Sequence, residues 1–212
     1  MEITWYGHSC FRITERMMAT VVADPYNHEE VGYGPLTLKG DIVTMSQDEA
    51  GYNYDEAVKG AEWKITGAGE YEIGGVFLTA VPTEKSKKNG GGNMVYTFDY
   101  NGVNVVHLGR MNSAPSRAEV EAFGTVDVLL VPVGGGGGLN AAKAAEVISM
   151  LEPGIVIPMH YQTENAKGDL NSIDQFLKEM GLGKEVEARA SLKIAKNNIP
   201  EETRVELLAP KQ

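Results

Sequence analysis

An α+β fold, with β-sheets covered by helices, follows from three features of the sequence. The first 110 residues consist mainly of short β-branched or apolar runs broken by turns. From residue 116 onward, strand-like runs alternate with stretches of helical composition. Neither a repeat at solenoid spacing nor a linker-like stretch interrupts the 212 residues, so one domain spanning 1–212 is expected.

Taken in order, residues 2–6, 9–15, 19–23, 41–45 and 75–81 read as strands. Residues 93–100 and 103–108 form two more, joined by Asn101-Gly102, a strong hairpin signal. The loop from Tyr26 to Gly40 is long and glycine-bearing, and Lys85 to Gly92 is polar, basic and surface-like. Ser116 is a candidate N-cap for a helix ending at Phe123, with Glu119 placed to complete a capping box. A buried strand over 126–131 leads into the glycine run 134–138, and an alanine-rich helix follows over 140–151. A strand at 155–158, a helix at 172–180 and late strands near 191–194 and 203–208 complete the chain.

Composition excludes several classes. The net charge is −10, which disfavours general nucleic-acid binding, since that needs a cationic face. No apolar run approaches the ~18 residues needed to cross a bilayer. The chain opens on a strand-like run without a basic and apolar leader. Cys10 is the sole cysteine, so no intrachain disulfide forms. A cytoplasmic protein is expected, and a homo-oligomer is left open.

Six segments, in order, carry a more specific signal. They are Trp5-Tyr6-Gly7-His8-Ser9-Cys10-Phe11, Ala23-Asp24-Pro25-Tyr26, Gly69 to Val76 (GEYEIGGV), His107-Leu108-Gly109, Val131 to Gly135, and Ile157-Pro158-Met159-His160-Tyr161. Together they resemble the metallo-β-lactamase superfamily, in particular its small branch related to the ascorbate-phosphate lactonases. The resemblance implies an αββα sandwich, two mixed sheets flanked by helices. It also implies a hydrolase that holds zinc or manganese through an H-x-H-x-D-H loop, a mid-chain histidine, a strand-end aspartate and a late histidine.

Position by position, the resemblance puts other residues where those ligands belong. Gln47 and Glu49 stand for the first two histidines, Gly51 for the aspartate and Tyr52 for the last histidine of the loop. Lys85 falls near the mid-chain histidine, Arg110 replaces the strand-end aspartate, and the late histidine remains as His160. Lysine and arginine are cations without an available lone pair, and glycine has no side chain. No metal cofactor is therefore expected, although Asp48, Glu49 and His160 offer donors for one loosely held hard cation. Arg110 is expected to pair with Glu49 or Asp24 in a salt-bridge network that replaces the metal. The alternative is that drift filled an abandoned pocket.

Other candidates weigh less. His8 reads mainly as a hydrogen-bonded structural histidine, or else as a group near the site. His107 reads as a satisfied core histidine, His28 as exposed, and Cys10 as a buried small hydrophobe. The glycine run is not a Walker A sequence, because no Gly-Lys-Ser/Thr follows. It reads as a flexible loop at the pocket rim, with phosphate cradling a minority reading, and Lys87 and Lys88 read as solvated.

Three functions remain open. One is a non-catalytic relative that binds a small anion through Arg110, Lys85 and His160. Another is a hydrolase of phosphate esters or lactones with a weak or absent metal, His160 being the candidate catalytic base. The third is a structural or oligomerisation module.

Overall fold

The computed structural model describes residues 1–83, 92–183 and 186–212. Two mixed sheets stack face to face. The first holds β1 (Glu2–Trp5), β2 (Phe11–Thr14), β3 (Val21–Ala23), β5 (Ile42–Thr44), β7 (Trp63–Ile65) and β15 (Leu192–Lys193), in the order β15-β1-β2-β3-β5-β7. The second holds β8 (Gly69–Ile73), β9 (Val76–Thr83), β10 (Asn93–Tyr100), β11 (Val103–His107), β12 (Val128–Pro132), β13 (Ile155–Met159) and β16 (Arg204–Val205), in the order β16-β13-β12-β11-β10-β9-β8. Short two-stranded pairs join β4 (Leu38–Lys39) to β6 (Val58–Lys59), and β14 (Ala188–Arg189) to β17 (Leu207–Leu208).

Alternation decides what lies between the sheets. Ile3 and Trp5 of β1, and Phe11 and Ile13 of β2, point inward and are fully buried. They meet Leu78, Ala80, Val95 and Phe98 of the second sheet in one continuous core. β12 and β13 are buried at every position, as parallel strands covered on both faces are. Each fully buried aliphatic or aromatic side chain contributes roughly 1.5–3 kcal/mol. α2 (Arg117–Phe123), α3 (Ala141–Leu151) and α4 (Ile173–Glu179) belong to the second half of the chain, with α2 against β9 and α3 against α4 and β12.

The covering of the first sheet is thinner than a helical layer. Val22 and Val43 on its outer face pack against Tyr6, Tyr26, Val31, Tyr33, Leu38 and Val58. These come mostly from the loop after β3, which contains only the single-turn α1 (His28–Val31). Asn101 and Gly102 take φ of 53° and 80°, as a two-residue hairpin with both residues left-handed requires. The capping box on α2 forms, with Ser116 and Glu119 bonded reciprocally. Lys85, Lys87 and Lys88 lie outside the described residues.

Candidate functional site

Both sheets contain parallel strands, and their carboxyl ends converge at one end of the sandwich. Loops leaving such ends are the usual place for a pocket in α/β architectures. Asp24 follows β3, Ser46 to Tyr52 follow β5, Arg110 follows β11, the glycine run follows β12, and His160 follows β13. The turn between β1 and β2 brings in His8. Three of these residues, His8, Asp24 and His160, hold left-handed backbones with φ of 50°, 48° and 51°. Such strain in non-glycine residues persists only where the surroundings over-determine it, and it tends to mark functional places.

A cavity of about 260 Å³ is lined by His8, Glu49, Gly51, Tyr52, Arg110 and His160, together with Val31, Gly136, Lys167 and Leu170. The His8 and His160 rings meet edge to face with centroids 4.8 Å apart, and Tyr52 lies 4.6 Å from His8. The backbone N–H of His160 donates to the His8 carbonyl at 3.1 Å, which ties the two strained residues together. Neither Nδ1 atom has a hydrogen-bond partner. Burial, and then the charge of Arg110, lowers the His160 pKa to about 4. Burial, and then His160 and Arg110, puts His8 well below its ordinary value. Both imidazoles are therefore neutral at pH 7. Burial pushes the Tyr52 phenol up despite the neighbouring Arg110, so it stays protonated.

Arg110 is held from several sides. Its guanidinium donates to Glu49 Oε2 at 2.7 Å and to the Gly136 carbonyl at 3.2 Å, and it lies 6.0 Å from the Tyr52 ring centre. Its backbone N–H donates to Asn93 Oδ1 at 2.8 Å. Gly137 lies against it so closely that a Cβ there would sit 2.3 Å from a guanidinium nitrogen. Gly134 is packed as tightly, with a Cβ falling 2.3 Å from the His160 carbonyl oxygen. The glycine run is thus a fitted wall, not the flexible rim expected from its composition.

The expected pairing of Arg110 is realised with Glu49 and not with Asp24. Asp24 is fully buried and accepts from Ser46 N at 2.7 Å and Ser46 Oγ at 2.6 Å. Burial raises its pKa, with His107 and Ser46 acting in the opposite sense. Gln47 and Asp48 turn away and line a neighbouring cavity of about 470 Å³ with Ser46, Asn53, Thr66, Asn93 and Met94. The turn splits because Gln47 bonds Asn93 at 3.2 Å while Glu49 reaches Arg110. The loose cation site drawn from Asp48, Glu49 and His160 is therefore not assembled. His8, read as a hydrogen-bonded histidine or a group near the site, has a backbone hydrogen bond with Gly51 and also lines the pocket, with its Nδ1 unpartnered.

His107 is the satisfied core residue expected. Its Nε2 lies 2.9 Å from the Ser9 carbonyl and its Nδ1 accepts from Gly109 N at 3.1 Å. Cys10 is buried, and burial raises its thiol pKa well above the ordinary value. His28 is exposed on α1. Asn93 is the positioning residue that the sequence did not reveal. It accepts from Gln47 and Arg110 and donates to the Leu108 carbonyl at 3.0 Å.

Among the described residues, the side chains at this site do not fit a zinc or manganese centre. Such a centre needs three or four nitrogen or oxygen donors converging on one point. No group of three His, Cys, Asp or Glu side chains converges in that way among the described residues. A fixed guanidinium beside His160 supplies no lone pair and repels a divalent ion.

Comparison with known proteins agrees with the fold. The family model for the beta-lactamase superfamily domain matches residues 2–160. The chain belongs to the metallo-β-lactamase superfamily. It is 31% identical over 196 residues to a UPF0173 metal-dependent hydrolase of Thermococcus onnurineus, covering 77% of this chain and 85% of that one. It is 29% identical over 188 residues to a UPF0173 protein of Pyrococcus furiosus, covering 77% and 84%. A crystal structure from Thermotoga maritima, described as a candidate zinc-dependent hydrolase of the superfamily, matches with a TM-score of 0.80 and 32% identity. That match covers 98% of this chain and 97% of the other. A metallo hydrolase from Ignicoccus hospitalis matches at a TM-score of 0.66 with 18% identity, which bears on the fold alone.

Proposed function

We propose that this chain is a non-catalytic, metal-free member of its superfamily that binds a small anion at Arg110. The observation that carries this reading is the guanidinium of Arg110, bonded to Glu49 and Gly136 beside His160 at the carboxyl ends of the strands. A cation built into the wall supplies the positive charge that a metal would otherwise bring. Gln47, Glu49, Gly51, Tyr52, Arg110 and His160, with Lys85 outside the described residues, are on this reading the remnants of a metal site, and the chain is a pseudoenzyme. A cytoplasmic location belongs to the same proposal, supported by the lone, buried Cys10. Among the described residues, no helix is long and apolar enough to cross a membrane.

A metal-dependent hydrolase is the second reading, favoured by the names of the relatives, with phosphate esters or lactones as the substrates expected of it. The site gives it little chemistry. General-base catalysis works best with a pKa near the operating pH, and His160 is lowered to about 4. Hydrolysis of phosphodiesters, phosphomonoesters and lactones, assayed with added zinc or manganese, decides between the two. The proposal expects no turnover above the uncatalysed rate. Turnover abolished by a chelator would overturn it.

A further inference from the structure

Resting on that reading, we infer that the carboxylate of Glu49 occupies the ligand's own position on Arg110, and that the pocket takes a small monocarboxylate with an uncharged body, which displaces Glu49. The other groups holding the Arg110 side chain are neutral, namely the Gly136 carbonyl and the bare face of Gly137. Its backbone is fixed separately by Asn93. Glu49 is the one charged partner it has among the described residues, and that partner is poorly enclosed. The Glu49 side chain is 54% exposed, against 27% for Arg110. An ion pair so exposed adds little stability, so the glutamate swings out at small cost while the guanidinium stays in place.

The walls define the rest of the ligand. His8, His160 and Tyr52 are uncharged, and Val31 and Leu170 add apolar surface. A volume of about 260 Å³ is at the small end for ligand cavities and suits a single ring or a short chain. Charge argues for one negative group only. Glu30, Glu49 and Asp169 face Arg110 and Lys167, three carboxylates against two cations. A monocarboxylate replacing Glu49 at Arg110 exchanges like for like. A dianionic phosphate adds a charge that this lining opposes. A guanidinium matches a planar carboxylate through two parallel hydrogen bonds, and Arg110 makes one of them to Glu49 while its Nε has no partner.

Calorimetric titration with benzoate, against the full chain and its Glu49→Gln and Arg110→Gln variants, tests this. Benzamide and inorganic phosphate serve as the neutral and dianionic probes, and circular dichroism checks each fold. We expect weak, millimolar-range benzoate binding to the unmodified chain and roughly 5-fold tighter binding to Glu49→Gln. Benzamide should not bind, and Arg110→Gln should lose benzoate. Equal or weaker benzoate binding by Glu49→Gln overturns the displacement and leaves anion binding standing. Phosphate binding tighter than benzoate overturns the monocarboxylate assignment alone. No binding of either anion to the chain or to Glu49→Gln overturns both this inference and the reading beneath it.

Discussion

Acid should unfold this protein partly through His160, and the size of the effect follows from its surroundings. The buried imidazole beside Arg110 has a pKa of about 4, against an ordinary value of 6.5 in the unfolded chain. Below pH 6.5 the unfolded chain takes up a proton that the folded chain refuses, so stability falls as pH drops from 6.5 toward 4. Between pH 7 and pH 5 this amounts to about 2 kcal/mol, and to about 3 kcal/mol once both states are protonated. His8, lowered by burial and by the same neighbours, adds in the same direction. Asp24 acts oppositely, because burial raises its carboxyl and its contribution to stability falls as pH rises. Comparison with His160→Asn isolates the imidazole, since asparagine tolerates the left-handed backbone that His160 adopts at φ 51°. Urea unfolding followed by tryptophan fluorescence at pH 7 and pH 5 should show the unmodified chain losing about 2 kcal/mol more than the variant. Equal losses in both proteins would refute the claim that His160 is buried neutral beside a cation.

Other substitutions test the packing around the pocket. Gly137→Ala forces a side chain at φ 91° into contact with the guanidinium and should cost roughly 1–3 kcal/mol by thermal melting. Asp24→Ala leaves Ser46 N–H and Oγ without their acceptor in the core and should cost roughly 2–4 kcal/mol, while Asp24→Asn keeps one bond and should recover part of it. Asn93→Ala releases both Gln47 and the Arg110 backbone. It should cost roughly 1–3 kcal/mol in urea unfolding and weaken benzoate binding, and unchanged binding would show that Asn93 does not position Arg110.

Much of the fold was readable because the core strands announce themselves. Val128 to Pro132 and Ile155 to Met159 are continuous apolar runs, and Asn101-Gly102 admits one common turn. β7 was not readable, since Trp63-Lys64-Ile65 is a short edge strand with two of its three residues exposed. The covering of the first sheet was equally obscure, because loop packing by Tyr26 and Tyr33 follows no periodicity. The Arg110–Glu49 pair was legible through motif positions. The parting of Gln47 and Asp48 from Glu49 was not, because it depends on Asn93, which lies 46 positions from Gln47 and has no local signature. The place of His8 in the pocket has no local signature either, since it depends on a backbone bond from His160 at the far end of the matched region.

On the reading proposed above, a protein cation has taken the place of a metal centre in this superfamily fold. Elemental analysis of protein purified without chelator, then incubated with zinc and manganese and desalted, addresses it most directly. Less than about a tenth of an equivalent of metal per chain is expected, well short of the stoichiometric occupancy of a true site. One tightly held equivalent, lost on mutation of His160, would contradict it.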